Sequence, residues 1–463
     1  MKSNKKRLLG AMLALLTLLS CVSVLTLHSW ADEAEALADE KANLRFKDGT
    51  FTIIQVADLQ EAYITSSFTK DFLKAVAKEY KPNLFVLTGD NISDGAANWP
   101  LQSSSRNIVK SSIDSYMNVF DKLNVPTTMV FGNHDAESSG VSRFAQLQMY
   151  QTHKSFIGYE ADQVAADAAH KTGNLDKKSA TLGELWMGTH NLVIKGSNSD
   201  DIVFNLWLFD SGDYVRKADN PSDSWIADGE NDGYNSVSAG QVNWFKTVNA
   251  DLTARAGHAV PSFSFQHIIV PEVADYLTPA EEADADFSLT SYKLNAAGNA
   301  VEIDGTSKAP TAVTKYFSNV LPAGTVGVLH ETPCPGKYNF GEYKALKDSG
   351  NVVAMFFGHD HVNTFELKKA DAPDLVNSPT TGFGSYGDEN RGVRIITIKE
   401  SDPTNYTTEV VTYQDFYEAH GGALTKTLYS WRFDMFQGGG TAMSIFDWLF
   451  FKPLIWFLSL LGL

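Results

Sequence analysis

The stretch that decides the fold is residues 51–60, which read FTIIQVADLQ. An apolar run of strand length ends here in Asp58 and Gln60, two side chains that carry oxygen atoms. Two later stretches repeat the arrangement, because residues 84–91 read LFVLTGDN and residues 127–135 read TTMVFGNHD. Helical patterns lie between these strands, so the sequence predicts the strand and helix alternation of an α/β protein.

Periodicity predicts further elements along the chain. Helices are predicted at 68–80, 108–123 and 238–255, and strands at 51–57, 83–88, 127–131, 201–209, 262–268, 352–357, 392–399 and 406–414. The last two strands have no helix between them, which favours antiparallel pairing. Two stretches without this rhythm, 152–190 and 271–335, are predicted to be long loops and are candidates to wall a substrate cleft. The acidic run 281–286 in the second is interpreted as solvated surface.

Polar side chains cluster at the predicted strand ends. Strands of an α/β sheet present their carboxyl ends at one edge, so clusters that are distant in sequence can meet there. A single Asp after a strand is usually a cap or turn residue, but five such clusters together predict a site for two divalent ions of the Mn, Fe or Zn type. The clusters are Asp58 to Gln60, Gly89 to Asn91, Gly132 to Asp135, Gln266 with His267, and Gly358 to His361.

This ordered set of clusters resembles the calcineurin-like metallophosphoesterase superfamily. Further stretches are similar to its purple-acid-phosphatase-like branch: residues 208–212 read LFDSG, 241–244 read QVNW, 267–272 read HIIVPE and 382–387 read GFGSYG. The resemblance covers roughly Phe51 to Gln414. It implies a four-layer αββα sandwich with mixed sheets and two divalent metal ions at the strand ends.

The resemblance also implies a role for each site residue. Asp90 would bridge the two metals; Asp58, Gln60 and His361 would complete one site, and Asn133, His267 and His359 the other. Members of the family usually have His where Gln60 stands, and an uncharged amide would bind the first metal more weakly. His134 would protonate the leaving group, and Asp135 would fix its tautomer and hold it charged.

The chemistry that the resemblance implies is hydrolysis of a phosphoester by a hydroxide that two metals activate. A phosphomonoesterase is the preferred hypothesis. A phosphodiesterase, which could act on cyclic nucleotides, is the first alternative, because the same metal pair serves both reactions. A metal-binding surface protein that has lost turnover is the second, because of Gln60.

The net charge of the chain limits the class of molecule that it is expected to bind. The chain of 463 residues has 38 Lys and Arg against 55 Asp and Glu, a formal charge of −17, and 43% hydrophobic residues. That content predicts a globular core and excludes disorder as the main state. A body this acidic repels phosphate backbones, so no nucleic-acid partner is expected and the predicted partner is a phosphoester substrate.

The first 31 residues have the layout of a signal peptide. Four basic residues precede an apolar run from Leu8 to Leu27, and small residues surround a cleavage position after Ala31. We therefore expect an exported protein that is extracellular or associated with the cell surface. Lipidation at Cys21 and an uncleaved anchor are the alternatives. Cleavage would leave Cys334 as the single thiol, without an intrachain disulfide.

These patterns divide the chain into five parts: a signal peptide at 1–31, a lead-in at 32–50, the phosphoesterase domain at 51–415, a linker with a Gly-rich joint at 416–443, and an apolar tail at 444–463. The tail is barely long enough to span a bilayer and contains Asp447, Lys452 and Pro453. We interpret it as an interfacial anchor that contacts a membrane surface. A helix docked on the domain or on a second copy is the equal alternative.

Overall fold

Two β-sheets between layers of helices form the framework of the protein. The computed structural model describes residues 43–61, 65–92, 102–137, 141–158, 188–216, 231–292 and 312–420. The predicted signal peptide, most of the lead-in and linker, and the apolar tail lie outside these residues, and the five proposed boundaries remain predictions. Within the described ranges, no helix combines the length and the apolar composition that crossing a membrane requires.

Sixteen strands and six α-helices are described. The strands are β1 (Leu44–Arg45), β2 (Thr50–Val56), β3 (Leu84–Thr88), β4 (Thr127–Val130), β5 (His190–Lys195), β6 (Ile202–Leu208), β7 (Tyr214–Arg216), β8 (Asn231–Tyr234), β9 (Ser262–Phe265), β10 (Phe287–Tyr292), β11 (Ala312–Phe317), β12 (Val352–Phe357), β13 (Glu366–Leu367), β14 (Asp374–Asn377), β15 (Gly392–Lys399) and β16 (Asp402–Thr412). The α-helices are α1 (Ser67–Tyr80), α2 (Gln102–Leu123), α3 (Arg143–Tyr150), α4 (Ala239–Ala256), α5 (Glu342–Ser349) and α6 (Tyr413–His420).

Both main sheets are mixed. The five-stranded sheet has the order β16-β15-β2-β3-β4, in which β2, β3 and β4 are parallel and β15 is antiparallel to both of its neighbours. The seven-stranded sheet has the order β1-β5-β6-β9-β12-β14-β13, with a parallel centre from β6 to β14. Two further pairs, β7 with β8 and β10 with β11, are antiparallel.

The side chains of each strand alternate between two cores. Phe51 and Ile53 of β2 belong to a cluster that contains residues of both sheets, including Phe263 and Phe356 of the opposite sheet. Ile54 of β2, one position further along, faces the helices instead. This period of two is what a sheet between two packed layers requires.

The helices cover the outer faces of the two sheets. Phe120 of α2 packs on Phe85 of the five-stranded sheet with ring centroids 4.7 Å apart. Phe245 of α4 packs on Trp207 of the seven-stranded sheet at 4.8 Å. The predicted four-layer αββα sandwich with mixed sheets is therefore confirmed.

Several predicted boundaries are wrong. The strand predicted at 262–268 ends at Phe265, because the Gln266 amide donates to the carbonyl of Ile268 and forms a turn there. The strand predicted at 406–414 begins at Asp402 and ends at Thr412. Likewise, the loop predicted at 271–335 contains the strands β10 and β11 and two short 3-10 helices at 271–275 and 282–284. The acidic side chains at its tip are exposed, as expected.

Candidate metal centre

The candidate ligands follow five strands whose carboxyl ends meet at one edge of the sandwich. Turns at these ends place side chains of both sheets in one site. The five-stranded sheet supplies Asp58 and Gln60 after β2, Asp90 after β3 and Asn133 after β4, and the seven-stranded sheet supplies His267 after β9 and both His359 and His361 after β12.

The charged and imidazole ligands form two groups that share Asp90. One group is Asp90, His267 and His359, and the other is Asp58, Asp90 and His361. Within each group the donor atoms lie within 4.8 Å of one another, and all five residues are buried. A carboxylate common to two groups is placed to bind two cations at once.

The first group is held by backbone and amide contacts. His267 Nδ1 lies 2.9 Å from the carbonyl oxygen of Thr88, so this nitrogen carries the proton and donates it. The Nε2 atom is thereby free to face the site, where it lies 3.2 Å from Asp90 Oδ2, 3.2 Å from His359 Nδ1 and 3.1 Å from Asn133 Oδ1. A hydrogen bond on the remote nitrogen is the usual way in which proteins orient a histidine ligand.

In the second group, too, a hydrogen bond on the remote ring nitrogen orients the histidine. His361 Nδ1 lies 3.0 Å from the carbonyl oxygen of Tyr386, which leaves Nε2 directed at the site. That Nε2 atom is 3.3 Å from Asp58 Oδ1 and 3.3 Å from Gln60 Nε2. The Gln60 amide also lies 3.2 Å from Asp90 Oδ2, so residue 60 stands where a ligand to the second group would stand.

The electrostatics of the cluster fit bound cations. Burial by itself would raise the pKa of Asp90, but the positive charge of His267 lowers it below its ordinary value. Burial would lower the pKa of His267, yet Asp90 and Asp58 raise it to about 10. The buried Asp58 Oδ1 atom, 3.3 Å from His361 Nε2, forms no hydrogen bond. Converging carboxylates and imidazoles with such an oxygen atom therefore fit divalent metal ions.

Four of the candidate ligands adopt a strained backbone. Asp58, Gln60, Asp90 and His359 have φ angles of 50°, 42°, 48° and 72°, in the left-handed region that L-residues rarely occupy. Such conformations cost free energy and persist where the surrounding structure imposes them. Here they turn the side chains inward directly after the strands.

Glycines allow the ligand loops to approach one another. A Cβ atom at Gly132 would lie 2.2 Å from Asp90 Oδ1, and one at Gly358 would lie 2.8 Å from Asp58 Oδ2. Any side chain at either position would displace a candidate ligand.

The predicted role of Asp135 is wrong. Its carboxylate accepts hydrogen bonds from the backbone amides of Gly132, Asn91 and Ile92, and does not contact the His134 ring. The short 3-10 turn that begins at His134 directs Asp135 into the protein interior, so this carboxylate holds the ligand loop together.

Glu137 takes the place that was predicted for Asp135. Its Oε2 atom lies 2.8 Å from His134 Nδ1, three residues earlier in the same turn. The Tyr214 hydroxyl also donates to Glu137 and in turn accepts a hydrogen bond of 2.8 Å from Asn133 Nδ2. Since the Asn133 nitrogen is engaged in this way, its Oδ1 atom is the one that faces the metal centre.

Two more tyrosines pack on the ligands and were missed by the sequence reasoning. The ring of Tyr234 meets His359 edge-on with centroids 4.2 Å apart, and the ring of Tyr386 stacks on His361 at 4.1 Å. Tyr386 lies in the predicted GFGSYG stretch, but nothing in its pattern indicates which histidine it covers.

Comparison with known proteins identifies the domain. Residues 51–262 match the family model described as calcineurin-like phosphoesterase. This region, a little under half of the chain, matches a calcineurin-like phosphoesterase domain. The match ends before His267, His359 and His361, which the fold brings to the site from the second sheet. The predicted resemblance to this family is therefore confirmed, and the candidate ligands lie together in the structure.

Plant proteins are among the relatives that this chain resembles in sequence. The chain is 26% identical over 385 residues to the Arabidopsis thaliana protein named "Probable inactive purple acid phosphatase 29", covering 78% of this chain and 79% of the relative. It is 23% identical to "Probable inactive purple acid phosphatase 14" of the same plant, covering 77% of each. Among solved structures, a dimetal phosphatase from Danio rerio aligns at 13% identity with a TM-score of 0.41, covering 79% of this chain and 100% of that one.

Proposed function

We propose that the protein is an exported, metal-dependent phosphoester hydrolase that acts on phosphomonoesters. The observation that carries this proposal is the pair of ligand groups that share Asp90, with the half-buried His134 ring beside them. The calcineurin-like domain supports the same class of reaction.

The residues around the centre have separable roles. Asp58, Gln60 and His361 would hold one divalent ion, Asn133, His267 and His359 the other, and Asp90 both. When bound, two such ions supply Lewis acidity toward phosphoryl oxygens and lower the pKa of water. The chain itself supplies fixed ligands, a buried and desolvated floor, and a proton donor.

His134 is the proton donor in this proposal. Its side chain is 31% exposed, so a substrate can reach it, and its Nε2 atom lies 3.9 Å from Asp90 Oδ2 at the edge of the centre. Glu137 holds Nδ1, which leaves Nε2 to give its proton to the departing alkoxide oxygen. After transfer the ring is neutral, with the remaining proton still donated to Glu137.

Export is supported by the sequence of residues 1–31, and the strongly acidic composition favours a small phosphoester over a nucleic acid. N-terminal sequencing of protein collected outside the cells tests this part of the proposal. A first residue at Asp32 is expected, and a protein retained inside the cells would contradict it.

A second function is favoured by one residue. Gln60 stands where the family usually has His, and two relatives are named "Probable inactive" purple acid phosphatases. An uncharged ligand that is also hydrogen bonded to Asp90 weakens the second group, which contains Asp58, Asp90 and His361. The protein would then bind metal, and with it a phosphate group, without turnover.

One assay separates these functions. Purified protein is loaded with Mn²⁺ and tested on p-nitrophenyl phosphate and on bis(p-nitrophenyl) phosphate, with Asp90→Asn as the matched control. Faster turnover of the monoester, lost in the control, is expected. Preference for the diester would support a phosphodiesterase, and turnover of neither ester with metal bound would support the binding protein.

A further inference from the structure

A second set of oxygen-bearing side chains lines one pocket of the protein. Three elements surround a pocket with about 280 Å³ of empty space, its solvent-open mouth included. They are the turn after β9, which contributes Gln266, the 3-10 helix Pro271–Asp275, which contributes Glu272, and the start of α5, which contributes Glu342. None of these side chains belongs to the ligand groups around Asp90.

Three residues that line this pocket each have one side-chain oxygen atom without a partner. Gln266 Oε1, Glu272 Oε2 and Glu342 Oε1 are each buried without a hydrogen bond. Gln266 and Glu342 are themselves more than nine-tenths buried, with relative exposures of 2% and 6%. Most buried polar atoms in native proteins are hydrogen bonded, so three unpartnered oxygens among the residues of one pocket point to a ligand there.

The nearby amide donors form hydrogen bonds with other atoms of the residues around the pocket. Gln266 Nε2 donates to the carbonyl of Ile268 at 2.9 Å and to Glu342 Oε2 at 3.3 Å. Asn339 Nδ2 donates to Glu272 Oε1 at 2.8 Å. Each of these contacts fixes one end of an amide or carboxylate and leaves its other oxygen without a partner.

The charge of the pocket is not balanced. Within the described ranges neither Glu272 nor Glu342 forms an ion pair, and Lys315, the cation near Glu272, is paired with Asp275. Burial raises the pKa of Glu342 to about 8, a shift that the Gln266 hydrogen bond opposes and the Glu272 charge increases. A proton therefore sits on Glu342 near neutral pH when nothing else neutralises it.

We propose that this pocket binds one Ca²⁺ ion, separate from the two-metal centre. The available donors are two carboxylates and one amide oxygen, without nitrogen or sulfur, which is the ligand type that hard cations prefer. Ca²⁺ accepts irregular oxygen geometry and completes its shell with water, whereas Mg²⁺ requires a near-ideal octahedron. The ion would connect α5 and the 3-10 helix to Gln266, which directly precedes the candidate ligand His267.

The test measures Ca²⁺ binding by equilibrium dialysis of the full chain after loading with two equivalents of Mn²⁺. One Ca²⁺ per chain is expected for the wild type, together with a rise in the melting temperature. Glu342→Gln keeps the size of the side chain and should weaken Ca²⁺ binding roughly tenfold or more, because it removes a charged ligand. Glu281→Gln, which removes one exposed acid elsewhere, should bind as the wild type does.

Two more variants make the outcome decisive. Glu272→Gln should lose Ca²⁺ as Glu342→Gln does, and it decides the matter where Glu342→Gln fails to fold. Asp90→Asn should retain the Ca²⁺, because its defect lies in the other centre. The proposal is overturned by a wild type that binds no Ca²⁺, by glutamate variants that bind it unchanged, or by a Ca²⁺ that only Asp90→Asn removes.

Discussion

The Nδ1 atom of His134 lies 2.8 Å from the Oε2 atom of Glu137. The two residues are three apart in a tight turn, so the carboxylate that orients the ring comes from the same loop as the candidate ligand Asn133. Asp135, the immediate neighbour, is instead fully buried among backbone amides. Thus the Glu137 carboxylate orients the His134 ring, and the Asp135 carboxylate holds the loop together.

His134→Ala should reduce activity most on substrates with poor leaving groups. An alkoxide needs a proton in order to leave, whereas nitrophenolate is stable without one. We expect a loss of roughly 10² to 10⁴ on alkyl phosphates and a smaller loss on p-nitrophenyl phosphate, with metal content unchanged. Steady-state kinetics on both substrates and elemental analysis provide the measurement.

Glu137→Gln is the companion variant to His134→Ala. It keeps a hydrogen bond to Nδ1 but removes the charge, so its loss should have the same leaving-group dependence and a smaller size. Equal losses on both substrates would assign His134 to phosphate positioning. Loss of metal from His134→Ala would assign the turn a structural role.

Asp90→Asn should remove both metals together with activity. Its carboxylate is the member common to both ligand groups, and Asn offers only one oxygen and no charge. The measurement is metal content per chain after dialysis against Mn²⁺. Retention of two metals by this variant would be incompatible with a bridging role for Asp90.

The polar clusters could be predicted because most of them follow an apolar stretch, as Asp58 and Asp90 do. Strand ends lie together in this class of fold, so the clusters are expected to meet. His267 lies inside the strand predicted at 262–268, and it reaches the site because the strand ends at Phe265. The left-handed φ angles of Asp58 and Asp90 are compatible with this prediction, but no sequence pattern predicts them.

The surroundings of the ligands could not be predicted in the same way. Tyr214 reaches Asn133 because β7 pairs with β8 beside the site, and neither short strand has a recognisable pattern. Glu137 reaches His134 because of the backbone of one 3-10 turn. Contacts of this kind depend on local dihedral angles, so sequence adjacency favoured Asp135 instead.

Acid should destabilise the protein through His190. Its Nδ1 lies 2.6 Å from the Gly188 carbonyl and its Nε2 2.7 Å from Thr128 Oγ1, and burial lowers its pKa to about 4. The folded state then binds this proton later than the unfolded state does, so stability is lost as the pH falls from about 6.5 toward 4, by on the order of 3 kcal/mol.

His190→Gln isolates this contribution, since Gln does not titrate. Urea unfolding of wild type and variant with a chelator present gives the free energy of unfolding at each pH. The difference between the two proteins should change between pH 6.5 and 4 and be constant above pH 7.5. A difference that is constant over the whole range would mean that His190 is not the group responsible.

Gln60→His should strengthen the ligand group of Asp58 and His361. The Gln60 amide already lies 3.3 Å from His361 Nε2 and 3.2 Å from Asp90 Oδ2, so an imidazole at this position would bring a nitrogen donor to the same place. Imidazole suits Fe and Zn ions, whereas an amide carbonyl suits harder ions. We expect the weaker of two measured affinities for Zn²⁺ to rise roughly tenfold and the tighter one to stay the same. Titration calorimetry with Zn²⁺ measures both. If the variant also gains phosphatase activity that the wild type lacks, residue 60 is what separates binding from turnover. Unchanged affinities would remove residue 60 from the ligand set, and the ion of this group would then be held by Asp58, Asp90 and His361 alone.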